Sequence, residues 1–323
     1  MLAPAFETIA ASEFGRDVSD GLGRSDQKEL PSKYLYDDLG SALFEAITLL
    51  PEYGLTRADA RLLKQHGVEI IETFARNPLV VELGSGSGSK TRWILEAAAR
   101  RGPVNYIPID ISSAALEICR AALDSIRNVR TMPIIASYLD GLAEAVIQRR
   151  PGQSMIVLFL GSTIGNFYIE AAEKFLRQVR NALAPGDKLL LGTDLVKPRD
   201  QMLPAYDDPI GVTAAFNLNL LSRINRELAG DFIIRNFEHE ARFNEAASRV
   251  EMHLRSKVAQ RIQIRSIGLR IAMREGETIW TEASQKFHPA QVRTMAHLAG
   301  FSCQAQWIDP EWPFAENLLA AGA

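Results

Sequence analysis

Several features are scarce in this 323-residue sequence, and each absence excludes a class of protein. Its two cysteines, Cys119 and Cys303, lie far apart without metal-ligand spacing, which argues against a disulfide framework and favours a reducing compartment. No apolar run approaches the ~20 residues of a membrane span, and the N-terminus lacks a basic region followed by an apolar core. These absences predict a cytoplasmic protein without a membrane partner.

An excess of one charge is also missing. The sequence has 36 Lys and Arg against 39 Asp and Glu, a net charge of −3, and therefore no electrostatic signature of a nucleic-acid partner. The five histidines show no ligand spacing, so no metal is expected. We see no internal repeat, and we take a monomer as the working expectation.

The most informative stretch runs from Leu79 to Thr91 and reads LVVELGSGSGSKT. A short β-branched apolar run predicts a buried strand, and a helix is predicted from Lys90 to Arg101. Between them Gly84, Gly86 and Gly88 remove side chains where the backbone turns and a ligand can approach. A strand that enters a helix through glycines is typical of nucleotide-binding sites.

Three chemistries compete for this turn. A phosphate-binding P-loop requires glycine before the lysine, and a dinucleotide-binding G-x-G-x-x-G loop requires glycine as its sixth residue; both patterns meet Ser89 instead. The third is a site for S-adenosylmethionine (SAM), with the pattern E/D-x-G-x-G-x-G, which residues 82–88 match at every fixed position. The stretch favours SAM.

The next predicted strand ends in Asp110, 28 positions after Glu82. An acidic residue at the tip of the second strand can accept hydrogen bonds from ribose hydroxyls. Alternatively, Asp110 could be the N-cap of the following helix. Ser112 and Ser113 are also able to cap that helix. Together with the glycine turn, Asp110 favours ribose binding.

Strands and helices alternate after residue 79, which predicts an α/β fold with a Rossmann-like, doubly wound and mostly parallel sheet. Strands are expected near 79–83, 104–109, 131–136, 154–160 and 188–194, with helices near 90–101, 113–126, 139–149 and 168–184. Antiparallel strands are expected at 232–239, 249–255, 261–273 and 277–287, then a helix at 289–300 and a strand at 301–307. We therefore predict a SAM-binding core at 61–195 and 287–323 and a second α+β substrate-binding lobe from 1–60 and 196–286.

With these pieces assembled, the sequence resembles the histidine-specific SAM-dependent methyltransferases of the ergothioneine pathway from about residue 30 onward. The segments that carry the resemblance are Tyr36-Asp-Asp-Leu-Gly-Ser41, Leu50-Pro-Glu-Tyr53, Glu82-Leu-Gly-Ser-Gly86, Phe159-Leu-Gly-Ser-Thr-Ile-Gly-Asn166, Leu191-Gly-Thr-Asp-Leu-Val-Lys197, Ala205-Tyr-Asp-Asp208, Glu251-Met252 and Thr281-Glu-Ala-Ser284. Many separate motifs in one order make the match more specific than the glycine turn alone.

The resemblance implies site residues. It places SAM contacts at Tyr36, Gly84, Lys90 and Asp110, and further candidate SAM contacts are Gly86 in the same turn and Ser137 and Tyr138 after the third strand. It places the substrate contacts at Tyr53, Asn166, Tyr206, Thr213, Met252, Glu282 and Ser284. Tyr53 and Asn166 would act on the α-amine as the catalytic pair, Tyr206 would hold the carboxylate, and Glu282 with Ser284 would hold the imidazole.

The chain departs from the family pattern at two places. Ser137-Tyr138 stands where Asp-Phe is usual beside the adenine, and Gly54-Leu55 stands where Tyr-Pro is usual, which predicts a looser loop on the substrate side. Ordinary structural roles are also open. Asn166 could be a left-handed turn residue or a helix cap, Tyr53 and Tyr206 could be surface aromatics, and Glu282 with Ser284 could form a solvated strand face.

The implied activity is trimethylation of the α-amine of L-histidine to hercynine, a step of ergothioneine biosynthesis. One alternative is methylation of another aromatic amino acid, tryptophan or tyrosine, by an enzyme of the same family. Another is a SAM-binding regulatory protein without turnover. Glu282 favours histidine, because a carboxylate suits a hydrogen-bonding, partly cationic ring.

Overall fold

A computed structural model describes residues 12–322 of the chain. The helices, α1–α10 in chain order, are Glu13–Leu22, Asp38–Thr48, Gly54–Glu72, Arg92–Ala99, Ser113–Leu123, Tyr138–Ile147, Ile169–Ala182, Arg199–Met202, Val212–Leu228 and Pro289–Leu298. The strands, β1–β14, are Lys28–Glu29, Leu79–Leu83, Val104–Asp110, Val129–Thr131, Ile134–Ile135, Met155–Phe159, Lys188–Asp194, Phe237–Asn244, Arg249–Ser256, Gln260–Ile264, Leu269–Met273, Thr278–Gln285, Phe301–Ile308 and Phe314–Ala321. Within residues 12–322, no helix is both long and apolar enough to cross a bilayer.

Contacts within the chain define two units. The sheet unit comprises Gly54–Lys197 and the chain from Gln285 onward. The insertion unit comprises the described chain up to Tyr53 together with Pro198–Ser284.

The sheet unit is a doubly wound α/β structure. Its eight-stranded sheet has the order β13-β14-β7-β6-β2-β3-β4, with β5 beside β3, and strands β2 to β7 run parallel. Apolar residues from α3, α4 and α5 cover one face of the sheet, and residues from α6, α7 and α10 cover the other. Because both faces are buried, the parallel strands are almost continuously apolar, as the sequence predicted.

The main unexpected element of the sheet is β14, which pairs antiparallel with both β7 and β13. Glu316 and Asn317 interrupt its apolar run, yet both are buried. The expected strand at 131–136 is also divided, into β4 and β5, because Pro133 between them cannot donate a backbone hydrogen bond.

The helix α3 begins at Gly54, directly after Tyr53. The prediction of a loosened loop at Gly54-Leu55 is therefore wrong, because both residues are buried inside α3. A Cβ at position 54 would lie 2.2 Å from Cε3 of Trp312, so glycine permits the close packing of this helix start.

The insertion unit contains a four-stranded sheet in the order β1-β12-β9-β8 and a two-stranded hairpin of β10 and β11. The strand expected at 232–239 lies instead at 237–244, after a short 3-10 helix. The single strand expected at 261–273 is a hairpin, because Arg265–Ile267 forms a 3-10 turn that ends at the left-handed Gly268 (φ 64°).

Asp37 connects two helices of the insertion unit. Its carboxylate accepts from the amide of Gly40 and thereby caps α2, and it also accepts from the side chains of Asn219 (2.7 Å) and Arg226 (2.5 Å) on α9. A Cβ on Gly40 would lie 1.7 Å from the carbonyl oxygen of Leu35. Asp37 and Gly40 of the Tyr36-Asp-Asp-Leu-Gly-Ser41 motif therefore have structural roles at the start of α2.

Candidate active site

The glycine turn of the sheet unit adopts a backbone that side chains would strain. Gly84, Gly86 and Gly88 have φ values of 73°, 51° and 66°. A Cβ on Gly84 would lie 3.1 Å from the Tyr138 ring, and one on Gly88 would lie 2.5 Å from the sulfur of Cys119. The side chains of Tyr138 and Cys119 pack closely against the turn, and its backbone carries no side chain at the three glycines.

The acidic residue of the motif, Glu82, is buried beneath this turn. It accepts hydrogen bonds from Thr91 Oγ1, 2.7 Å from each carboxylate oxygen, and a short one from the hydroxyl of Tyr106. Burial raises the pKa of Glu82 to about 7, although the two hydroxyls oppose that shift. Glu82 therefore links β2 to β3 and to the segment before α4, which fixes both ends of the turn.

Asp110 connects the tip of β3 to the same turn. One carboxylate oxygen accepts from the amide of Gly86 at 3.1 Å and the other from the amide of Ser112 at 3.0 Å. Burial raises the pKa of Asp110, and the backbone amides partly offset the shift. Ser112, not Asp110, caps the following helix, so capping does not explain the aspartate.

Ser137 and Tyr138, the candidate SAM contacts after the third strand, have different surroundings. The Ser137 hydroxyl caps α6, accepting from the amide of Asp140 and donating to its carboxylate at 2.6 Å. The Tyr138 ring packs edge-on against Phe159 and lies beside Gly84. Tyr138 is therefore placed at the glycine turn, whereas the Ser137 hydroxyl is committed to its helix.

Lys90 follows the glycine turn. Its ammonium lies 2.7 Å from a carboxylate oxygen of the fully buried Asp59 and close to Gly161, where a Cβ would be 3.0 Å away. The glycine motif did not predict that Lys90 pairs with Asp59.

Asn166 ends the 3-10 helix Thr163–Asn166 of the sheet unit. Neither ordinary role proposed for it applies, because the left-handed residue of this loop is Ser162 (φ 59°) and the residue that caps α7 is Tyr168. The Ser162 hydroxyl accepts from the amide of Asp194, which holds the loop against the end of β7.

The insertion unit gathers aromatic residues from distant parts of the chain. The Phe44 ring lies 5.4 Å from Tyr36, 6.2 Å from Tyr53 and 6.0 Å from Phe216, and Tyr53 lies 6.5 Å from Tyr206. We call these five residues the aromatic cluster. Tyr53 and Tyr206 are each 7% exposed, so neither is a surface aromatic.

Tyr206 also joins the predicted imidazole-binding strand. Its hydroxyl lies 2.8 Å from the hydroxyl of Ser284 on β12, within hydrogen-bond distance. Its carbonyl accepts from Nε2 of His239, and Asn217 donates to Nδ1 of the same ring. Because a carbonyl only accepts, this arrangement fixes the neutral Nε2–H tautomer of His239, and burial lowers the pKa of the ring further.

The remaining predicted substrate residues lie on neighbouring elements of the insertion unit. Thr213 is buried in the first turn of α9, where its amide donates to Asp208. Met252 is buried on β9, and its carbonyl accepts from Thr281 on β12. Asp208 of the Ala205-Tyr-Asp-Asp208 motif therefore stabilises the helix start that presents Thr213.

Glu282 is half-buried on β12, two residues before Ser284. Its backbone carbonyl accepts from the indole of Trp280 at 2.8 Å. The Trp280 ring stacks on His253 and carries the guanidinium of Arg249 at 4.6 Å. The strand segment that holds Glu282 is thus fixed by an aromatic side chain.

Sequence reasoning missed several residues of these arrangements: Asp59, Phe216, Asn217, His239 and Glu316. Each acts through a residue far away in the chain, so no local spacing marks it. The sequence signal available for Phe216 and Asn217 is their position on a long helix between two motif segments. Among residues 12–322 no group of three or more metal-ligating side chains could hold a metal ion.

A doubly wound sheet with a glycine turn after its first parallel strand and an acidic residue at the tip of the next is the arrangement of a nucleoside-binding Rossmann-like fold, which SAM-dependent methyltransferases share. The model of the histidine-specific, SAM-dependent methyltransferase family matches residues 14–321. The chain belongs to this family and is a SAM-dependent amino-acid N-methyltransferase.

Curated relatives agree with this assignment. The chain is 40% identical to histidine N-alpha-methyltransferase of Mycobacterium tuberculosis, over 94% of each chain. It is 39% identical to the protein of that name from Mycolicibacterium smegmatis, over 96% of this chain and 95% of the relative. It is 30% identical to ergothioneine biosynthesis protein 1 of Neurospora crassa, over 79% of this chain and 31% of that longer protein.

Proposed function

We propose that the protein transfers three methyl groups from SAM to the α-amine of L-histidine and so produces hercynine, the histidine betaine, for ergothioneine biosynthesis. The names of the relatives support the substrate and the pathway. The observation that supports a trimethylated product is the aromatic cluster, in which Tyr206 also contacts Ser284.

The sheet unit has the features that SAM requires. A backbone turn of three left-handed glycines leaves room for a ligand, and Asp110 stands at the turn as an acceptor suited to ribose hydroxyls. Gly84, Gly86, Lys90, Asp110 and Tyr138 would hold SAM, and we keep Tyr36 and Ser137 as further candidate contacts. SAM supplies a methyl group that its positive sulfur already activates, so the protein mainly positions and desolvates the amine.

The α-amine of histidine is mostly protonated at neutral pH, so the site must bind the neutral form or accept its proton. The carbonyl oxygen of Asn166 and the hydroxyl of Tyr53 are the acceptors that we assign to the amine. They orient its lone pair, and water carries the released proton away. No strong base is needed, because the amine itself becomes the nucleophile once it is neutral.

Each methyl transfer enlarges the head group, and the trimethylated product carries a permanent positive charge. Aromatic faces attract such a quaternary ammonium ion through their quadrupoles. The rings of Tyr53 and Phe44, 6.2 Å apart, are suited to this task. The carboxylate of histidine is assigned to Tyr206, and the imidazole to Glu282 and Ser284, with Thr213 and Met252 as pocket residues.

The direct test incubates the purified protein with excess SAM and histidine and follows product mass with time. The expected end product carries three added methyl groups. Accumulation of the monomethyl species alone would contradict the role of the aromatic cluster. Parallel reactions with tryptophan and tyrosine test the alternative substrates, and SAM binding without turnover on all three would identify a regulatory protein.

The same proposal covers location and assembly. Both cysteines are free thiols, which suits a reducing compartment, and we place the enzyme in the cytoplasm, working as a monomer on a free amino acid.

A further inference from the structure

Asp59 is a buried carboxylate of the sheet unit that binds two groups at once. Its Oδ2 accepts from Nζ of Lys90 at 2.7 Å and from the amide of Gly161 at 2.9 Å. Asp59 lies near the start of α3, Lys90 follows the glycine turn, and Gly161 follows β6. The aspartate therefore fixes the ammonium relative to the loops after β2 and β6.

A second buried carboxyl group, that of Glu316, faces the same place from β14. Glu316 is 1% exposed and pairs with Gly192 of β7. A Cβ at Gly192 would lie 3.0 Å from Oε1 of Glu316 and 3.2 Å from the amide nitrogen of Gly161, the group that donates to Asp59. Among the described residues 12–322, neither Oε1 nor Oε2 of Glu316 has a hydrogen-bond partner, and Oδ1 of Asp59 has none either. A proton held between the two carboxyl groups would satisfy one oxygen of each.

Two neighbouring carboxyl groups that are both buried do not ionise together, because desolvation and mutual repulsion add. Burial raises the pKa of Glu316 well above its usual value, and the negative charge of Asp59 raises it further, against a smaller opposing effect of Lys90. The charged groups whose fields reach Lys90 are Asp59, Glu82 and Glu316. One proton between Asp59 and Glu316 joins Oδ1 of Asp59 to one carboxyl oxygen of Glu316, so it satisfies two of the three orphaned oxygens, and it leaves Asp59, Lys90 and Glu316 without net charge.

We propose that Asp59 and Glu316 share one proton and act as positioning residues that hold Lys90 to receive the methionine carboxylate of SAM. The inference rests on the proposed assignment of Lys90 to SAM. If both acids were ionised, one ammonium would face two carboxylates, and the site would repel the carboxylate of the ligand. With the shared proton the three side chains have no net charge, and the site accepts the carboxylate of SAM.

Calorimetry with two ligands tests the positioning role. S-adenosylhomocysteine has the amino-acid carboxylate, whereas methylthioadenosine has the same adenosine and thioether without it. Asp59→Ala should weaken S-adenosylhomocysteine about tenfold or more and methylthioadenosine less than about twofold. Asp59→Asn should restore binding to within about threefold, because its amide still accepts from Lys90 and donates to Glu316. Parallel loss of both ligands, or loss of neither, would overturn the proposal.

Infrared spectroscopy tests the shared proton without relying on Asp59→Ala folding. At neutral pH the wild type should show a protonated-carboxyl stretch that Glu316→Gln lacks, with Glu82→Gln assigning the contribution of the other buried acid. Glu316→Gln should bind S-adenosylhomocysteine within about twofold of the wild type, because glutamine supplies a neutral donor at the same place. An unchanged spectrum in Glu316→Gln would mean that Glu316 is ionised, and the proposal would fail.

Lys90→Met separates this inference from the proposed function. It should lose affinity for S-adenosylhomocysteine and keep affinity for methylthioadenosine. Equal binding of S-adenosylhomocysteine by Lys90→Met and the wild type would overturn the inference, while methylation of histidine by the wild type would still support the proposed function. Conversely, loss of S-adenosylhomocysteine binding by Lys90→Met together with no methylation of histidine by the wild type would support the role of Lys90 and contradict the proposed function.

Discussion

The two units build their candidate sites from different materials. In the sheet unit the candidate site is centred on the backbone of the glycine turn, which is supported by side chains close together in sequence, from Glu82 to Asp110. In the insertion unit the surface is made of side chains, and they come from positions as distant as Tyr36 and Ser284. Contacts made by backbone are lost most completely when a side chain is added to the turn, whereas contacts made by side chains are lost when a polar group is removed.

The largest effect should follow from adding a side chain to the glycine turn. Gly86→Val places a β-branched residue at φ 51°, where the backbone must also meet SAM, and should abolish SAM binding while the protein stays folded. The matched control is Gly152→Val, at φ 72° with open space around its Cβ, which carries similar backbone strain but should bind SAM normally. Wild-type SAM affinity by calorimetry in folded Gly86→Val would contradict the SAM site.

A second test concerns the buried acid beneath that turn. The folded-state pKa of Glu82, about 7, lies above its usual value of 4.5. Between those pH values the folded protein keeps a proton that the unfolded chain has lost, so this contribution to the free energy of unfolding decreases as pH rises. The decrease should be on the order of 3 kcal/mol and complete once the pH has risen through about 7.

Glu82→Gln should lack this pH-dependent decrease, whereas Glu245→Gln, an exposed control, should keep it. Urea unfolding of the three proteins between pH 5 and 8 measures the difference. If the wild type and Glu82→Gln lose stability in parallel across this range, Glu82 does not retain its proton.

The smallest effect should follow from removing one hydroxyl in the insertion unit. Tyr206→Phe removes the bond to Ser284 and should raise the KM for histidine about 2- to 10-fold, with SAM affinity unchanged. Ser284→Ala should act similarly, and the double variant should be less than additive, because both changes break one bond. Tyr34→Phe, which removes the bond to Asp17 in the same unit, is the control and should leave the KM unchanged. A fully additive double variant would show that the two hydroxyls act separately.

The same contrast explains what the sequence could predict. The strand, glycine turn and helix around Gly84 were predicted closely, because their signal lies within a short stretch and follows from backbone geometry. The family resemblance, rather than any spacing, pointed to Tyr53, Tyr206 and Ser284, and the structure brings these three together in the insertion unit.

The elements that sequence reasoning missed depend on tertiary contacts. The strand β14 was not predicted, because Glu316 and Asn317 make its middle polar, although contacts with other parts of the fold bury both. The pairing of Lys90 with Asp59 across 31 positions leaves no local pattern. Phe216 joins the aromatic cluster through the packing of α9 on α2, and this packing is not visible in either helix alone.

The central claim is that the insertion unit recognises histidine while the sheet unit binds SAM, and Glu282→Ala tests it most directly. A carboxylate beside a ring N–H forms a charge-assisted hydrogen bond that an indole or phenol uses poorly. Its removal should raise the KM for histidine roughly 10- to 150-fold and increase the relative activity on tryptophan and tyrosine. Glu275→Ala, an exposed position before β12, is the matched control.

The measurement is kcat/KM for histidine, tryptophan and tyrosine on the three proteins, together with the affinity of each for S-adenosylhomocysteine. The account predicts that Glu282→Ala loses its preference for histidine while its affinity for S-adenosylhomocysteine stays at the wild-type value. If Glu282→Ala keeps the wild-type preference, Glu282 does not recognise the imidazole, and the assignment of histidine recognition to the insertion unit is contradicted.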